Sequence, residues 1–192
     1  IVVLSAMAGE TNKLQSYLDA LASQNSLESD LVLTSGEQVT IGLLSAELKN
    51  RGVKSIPLLG WQIPIITDNS HEKAKILNID NKRIQKFFEK NDVIVLAGFQ
   101  GISLNGEITS LGRGGSDTTA VAIASSVNAK RCDIYTDVDG VYTTDPNVDI
   151  NAKKISKMSY EEMLEMASTG SKVLHTRSVE LAMKNNLTLP VL

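Results

Sequence analysis

The sequence predicts an α/β fold: a three-layer α/β/α sandwich with a mostly parallel central sheet. Three observations lead there. Short apolar runs alternate with amphipathic stretches along the whole chain, the pattern of strands joined through helices. The run Val93-Ile94-Val95-Leu96 is apolar at every position, as a strand buried on both faces of a parallel sheet should be. Small-residue loops follow these runs, at Ala6-Met7-Ala8-Gly9, Ala97-Gly98 and Gly112-Arg113-Gly114-Gly115. Ligands of open parallel sheets bind beyond the carboxyl ends of the strands, where such loops gather. No repeat, low-complexity tract or linker interrupts the 192 residues, so one domain spanning 1–192 is expected.

Composition narrows the class. With 42% hydrophobic and 21% charged residues the chain can fill a sizeable core and has no membrane-spanning run. Acidic residues outnumber basic ones 22 to 19, so no electrostatic footprint for nucleic acid is present and any phosphate is bound locally. The single cysteine, Cys132, has no intrachain partner and is expected in the core; with no metal-spaced Cys/His cluster, a reducing, cytoplasmic compartment is expected. The chain opens on an apolar run without a signal segment, which suggests residues upstream.

Taken in order, residues 1–5 read as a strand, and Thr11 or Asn12 caps a helix carrying Leu14, Tyr17, Leu18 and Leu21. Leu31-Val32-Leu33 reads as a second strand, before a helix with Ile41, Leu44 and Leu48 that Gly52 stops. Thr34 and Glu37 have capping-box spacing, so Glu37 is either a reciprocal cap or a carboxylate held to meet a substrate ammonium. Residues 53–59 and 64–67 look extended, and residues 68–71 form a polar loop in which His71 is expected to be solvated. A short helix over 84–90 leads into the apolar strand at 93–96. Asn105-Gly106 predicts a type I′ hairpin that delivers the chain into the Arg113 loop.

That loop, Leu111-Gly112-Arg113-Gly114-Gly115-Ser116-Asp117-Thr118-Thr119, opens a helix running to Ala129. Glycines permit close backbone approach, the first helical N–H groups favour an anion, and Arg113 offers a planar two-pronged donor for carboxylate or phosphate. Further on, residues 133–136 look like a strand. Asp137-x-Asp139-Gly140 lacks the third carboxylate and closing glutamate of a calcium loop, so no metal ligand set is assigned. Helices are expected over 160–167, ended by Gly170, and from Ser171 to Asn185. Lys172 then sits in a first turn, where a cation is disfavoured unless an anion lies nearby. Residues 187–192 read as a last strand. Thr11, Glu37, Gln100, Arg113, Asp117, Asp137 and Lys172 thus fall on loops expected to share one rim. Cations beside carboxylates and free N–H groups suit phosphoryl transfer, in which positioning and charge neutralisation do most of the catalysis. Neither a Walker loop nor a nucleophile elbow is present.

Six segments, in order, resemble the aspartokinase family almost end to end: 5–11 (SAMAGET), 35–37 (SGE), 97–101 (AGFQG), 112–118 (GRGGSDT), 135–146 (YTDVDGVYTTDP) and 170–174 (GSKVL). The resemblance implies the amino-acid-kinase fold and transfer of the γ-phosphoryl of MgATP to the side-chain carboxylate of L-aspartate. Mg2+ would be bound mainly through the nucleotide phosphates. It implies that Thr11, Glu37, Gln100, Arg113, Gly114, Gly115 and Ser116 form the aspartate site, with Arg113 on a carboxylate and Glu37 on the ammonium. Thr136, Asp137, Tyr142, Thr143, Asp145, Pro146, Lys172 and Val173 would line the nucleotide, and Asp117 would orient lysines that neutralise the transferring group, Lys172 among them. The family's N-terminal Lys-Phe-Gly-Gly segment and C-terminal ACT domains have no counterpart here, so the chain is expected to be part of a longer, homo-oligomeric protein. Two other readings stay open: a module that binds aspartate and nucleotide without turnover, and a kinase for another small amino acid such as glutamate.

Overall fold

The computed structural model describes residues 1–21, 25–138, 140–144, 148–168 and 173–192. The chain falls into two compact units, Ile1–Ala120 and Val121–Leu192.

The first unit holds two sheets. One is three-stranded and wholly parallel: β1 (Val2–Leu4) and β2 (Ser55–Leu58) flank β5 (Val93–Ala97). As its unbroken apolar run predicts, β5 is central; Ile94, Val95, Leu96 and Ala97 are completely buried. Val95 and Ala97 share one face, which α3 (Ser35–Asn50) covers with Ile41, Leu44 and Leu48. The second sheet has the order β4 (Ile76–Ile79), β3 (Ile65–Thr67), β6 (Gln100–Ser103), β7 (Ile108–Ser110). Its central pair, β3 and β6, is parallel, and the edge pairs are antiparallel. The α/β architecture with mostly parallel strands is thus present, divided between two sheets. Helix α4 (Asn81–Phe88), capped by the Asp80 side chain, packs on β5.

Several local expectations are corrected. Leu31-Val32-Leu33 is helical, the last turn of α2 (Leu27–Leu33). A capping box forms at Ser26 and Ser29 instead of Thr34 and Glu37, and it starts a helix early enough to absorb the apolar triplet. Thr34 makes no cap bond: its hydroxyl donates back to the Asp30 carbonyl at 2.8 Å. Helix α1 (Glu10–Ala20) is preceded by Gly9 at φ 80°, so Thr11 and Asn12 lie inside its first turn and are not caps. The hairpin at Asn105-Gly106 is present, but only Gly106 has positive φ, at 83°. The Gly106 N–H donates to the Ser103 carbonyl, closing a three-residue loop with glycine in the left-handed position rather than a type I′ turn.

In the second unit, α5 (Gly115–Ser126) completes its course, and α6 (Tyr160–Ser168) packs on α7 (Thr176–Lys184). The segments expected as strands at 133–136 and 187–192 pair in parallel: the Ile134 N–H donates to the Pro190 carbonyl, the Leu192 N–H to the Ile134 carbonyl and the Thr136 N–H to the Leu192 carbonyl, around a bridge between Ile134 and Val191. Cys132 is buried, as expected of a core residue. Helix α7 begins after His175; the expected breaker Gly170 and cap Ser171 lie outside the described residues. Among the described residues no helix is long and apolar enough to cross a membrane.

Candidate active site

The loops after β1 and β5 and the first turns of α1, α3 and α5 enclose a cavity of about 530 Å³ within the first unit. Thr11, Glu37, Arg113, Gly114, Gly115, Ser116 and Asp117 all line it, so seven of the residues singled out in the sequence come together. Ser5, Asn12, Gln15, Leu33, Glu72, Phe99, Ser110 and Gly112 complete the wall.

Close packing between small residues makes this convergence possible. At Gly36, opening α3, a Cβ would stand 2.8 Å from the Ala6 Cβ, and the Thr40 hydroxyl donates to the Ser5 carbonyl at 2.8 Å. The first turn of α3 is therefore seated against the loop after β1. At Gly98, just past β5, a Cβ would meet Ser116 at 2.8 Å, so only glycine lets the first turn of α5 approach the strand end this closely. Phe99 then adopts φ 67°, unusual for an aromatic residue, with its N–H donating to the Thr119 hydroxyl and its carbonyl accepting from Leu111 N–H. Gly112 and Gly114 carry φ 75° and 70°, giving the Arg113 loop the left-handed turns its glycines suggested.

Glu37 is buried in the cavity wall with its hydrogen bonding incomplete. It is 3% exposed; Oε1 accepts the Ala6 N–H at 3.1 Å, while Oε2 is buried without a hydrogen-bond partner among the described residues. Burial raises its pKa to about 7, opposed by the main-chain hydrogen bonds it accepts. A buried carboxylate in a cavity wall with one oxygen unpartnered suits a donor carried by a ligand, and an ammonium suits it best. Arg113, in the same wall, is exposed, and among the described residues no carboxylate pairs with it. The cavity thus presents one group for a cation and another for an anion, beside the N-terminal end of α5.

Other expectations fall elsewhere. Gln100 is fully buried behind the wall: its Nε2 donates to the Thr34 carbonyl and its Oε1 accepts the Gly60 N–H, so both ends of the amide hold main chain. His71 is not a solvated loop residue, since its Nδ1 lies 2.7 Å from an oxygen of the buried Asp30. Thr136, Asp137, Tyr142, Thr143 and Val173 lie in the second unit. There the Thr136 hydroxyl donates to Asp137, Tyr142 bridges to Lys154, and the Thr143 hydroxyl accepts the Lys153 N–H. Lys172, Asp145 and Pro146 lie outside the described residues. Sequence reasoning missed Phe99 and Glu72; Phe99's neighbouring glycines were the available signal, and Glu72 had none.

The amino acid kinase family model matches residues 1–192. The chain is 53% identical to an aspartate kinase of Pseudomonas putida, an alignment covering all of this chain and 47% of that protein. Among solved structures, an aspartate kinase from Synechocystis superposes with a TM-score of 0.82 at 40% identity, over 99% of this chain and 32% of the other. Aspartokinase III of E. coli, in complex with aspartate and ADP, gives a TM-score of 0.80 at 29% identity, over 94% and 41%. The chain spans about half the length of the curated relatives it matches. A family match over every residue, with the fold superposing on those kinases, places the chain in the amino acid kinase family.

Proposed function

We propose that this chain is the catalytic part of an aspartate kinase, which transfers the γ-phosphoryl of MgATP to the side-chain carboxylate of L-aspartate to give 4-phospho-L-aspartate. The observation that carries the reading is the buried, half-satisfied Glu37 carboxylate in the same cavity wall as Arg113. An α-amino acid with a second carboxylate supplies what this pair lacks, an ammonium for Glu37 and a carboxylate for Arg113. The names of the relatives it matches, and the aspartate and ADP held by one similar solved structure, support the same assignment.

The chemistry asks little of the protein beyond placement. An oxygen of the substrate's side-chain carboxylate, already deprotonated at neutral pH, forms a bond to the γ-phosphorus while the bond to the β,γ-bridging oxygen breaks and ADP departs. No general base is needed, and charge neutralisation dominates. In this reading Thr11 and Ser116 fix the amino acid with Glu37 and Arg113. Thr136, Asp137, Tyr142, Thr143, Asp145, Pro146 and Val173 hold the nucleotide, while Lys172, oriented by Asp117, neutralises the transferring group. Mg2+ would arrive on the nucleotide phosphates. The same reading makes the protein a cytoplasmic homo-oligomer.

The test is ATP consumption by the full-length protein with L-aspartate, L-glutamate or no amino acid, with hydroxylamine to trap the acyl phosphate. Hydroxamate formed with aspartate alone is the expected result. Equal turnover with glutamate would remove the aspartate assignment, and nucleotide binding without turnover would favour a binding module.

A further inference from the structure

Behind the cavity wall lies a second buried carboxylate that no step of the proposed reaction uses. Asp30, on α2, is completely buried yet fully engaged, by groups 41 to 80 residues away in sequence. Its Oδ2 meets His71 Nδ1 at 2.7 Å; its Oδ1 accepts the Glu72 N–H at 3.0 Å and the Ser110 hydroxyl at 2.6 Å. Glu72 and Ser110 both belong to the cavity wall. The two segments that Asp30 gathers also bond directly, Ala74 N–H donating to the Ser110 carbonyl at 2.9 Å.

The clamp reaches the Arg113 loop at Gly112. Gly112 sits at φ 75° with its α-carbon pressed on the Glu72 carbonyl, so close that a Cβ would stand 2.6 Å from that oxygen. Glu72 itself is held at φ 61°, a conformation that costs energy for a residue with a Cβ unless its surroundings impose it. Asp30 imposes it from one side through the N–H, and the Asn25 N–H holds the Glu72 side chain at 2.7 Å. The wall on which Gly112 turns is therefore set by Asp30, and Gly112 directs the next residue, Arg113.

We propose that Asp30, with His71 as its outer partner, is a positioning residue for the Arg113 loop, acting on amino-acid affinity without touching the ligand. The inference rests on the reading of Arg113 as a ligand group. Charged hydrogen bonds of this kind hold geometry strongly, and releasing one at the clamp should weaken amino-acid binding by about tenfold or more.

The experiment uses the full-length protein and the variants Asp30→Asn, His71→Ala and His71→Gln. His71 is not itself a residue of the cavity wall, and glutamine can return a donor to Asp30. Expected are a rise in aspartate KM of about tenfold in His71→Ala, partial recovery in His71→Gln, an ATP KM within about twofold of wild type in both, and faster amide exchange over residues 110–115 in His71→Ala. Asp30→Asn should show the larger effect if it folds; the His71 pair decides the matter if it does not. A lowered melting temperature with aspartate KM and exchange over 110–115 unchanged would overturn the proposal. Wild-type protein that shows no aspartate-dependent turnover would refute the proposed function instead. The exchange comparison would then decide whether Asp30 sets the loop.

Discussion

Glu37→Gln separates the cost of the site from its use. In the free protein the Glu37 carboxylate is buried with one oxygen unpartnered, and its pKa stands at about 7 against an ordinary value of 4.5. The folded state therefore holds this proton more tightly than the unfolded state. Stability from this group is fully present below pH 4.5 and is lost as pH rises through about 7. The gap between the two values corresponds to about 3 kcal/mol. Glutamine keeps the acceptor for the Ala6 N–H and removes the charge, so the ligand-free variant should be more stable than wild type at pH 8, by an amount that shrinks toward pH 5. Its affinity should move the other way. Loss of a charged contact to the substrate ammonium is worth about 1.5–3 kcal/mol, so the aspartate KM should rise about ten- to a hundredfold. Wild type should also lose aspartate affinity as pH falls below 7, because the bound ammonium requires the ionised carboxylate, and the variant should not follow that slope. Urea denaturation at pH 5 and pH 8, with steady-state kinetics across the same range, measures both effects. An aspartate KM within twofold of wild type, or a stability difference that does not grow with pH, would refute this account of Glu37.

Three further substitutions test the surrounding wall. Arg113→Lys should raise the aspartate KM about ten- to a hundredfold and leave the ATP KM nearly unchanged, because a point charge does not replace a two-pronged donor; initial-rate kinetics in both substrates checks this. Gly98→Ala forces a Cβ to within 2.8 Å of Ser116, so it should destabilise the fold by about 1–3 kcal/mol in urea titration and raise the aspartate KM by displacing the start of α5. Gln100→Ala strands the buried Gly60 N–H and Thr34 carbonyl and should cost about 1–3 kcal/mol of stability with the aspartate KM of the folded protein unchanged; a selective rise in KM would return Gln100 to the substrate site.

What the sequence made legible follows from what periodicity and glycine encode. The apolar run of β5 announced the centre of the parallel sheet because burial on both faces leaves no polar position. Glycines at 112 and 114 announced their left-handed turns for an equally local reason. The errors arose where a long-range partner decides. Leu31-Val32-Leu33 has a strand's composition, but Ser26 and Ser29 start a helix upstream and Asp30 is drawn inward by His71 and Ser110. Nothing within a few residues of Asp30 announces partners 41 and 80 positions away. Gln100 stands in a glycine-flanked motif that suggests a ligand residue, yet its amide is turned toward Thr34 and Gly60.

The two buried carboxylates of this unit show why composition alone does not locate a site. Asp30 and Glu37 lie seven positions apart, both almost wholly removed from water, and as letters in a sequence they carry the same charge. Their surroundings differ. Asp30 accepts from an imidazole, a hydroxyl and a main-chain N–H, so its charge is compensated inside the fold and its work is to hold segments together. Glu37 accepts only main-chain N–H groups and leaves Oε2 unmatched in a cavity wall, so a ligand can supply the missing donor. Burying a charge without a full set of donors is too costly to persist as packing, whereas a ligand that supplies the missing donor recovers that cost on binding. Along one short stretch of chain, the satisfied carboxylate therefore marks the scaffold, and the unsatisfied one is the group that the proposed function assigns to a substrate ammonium.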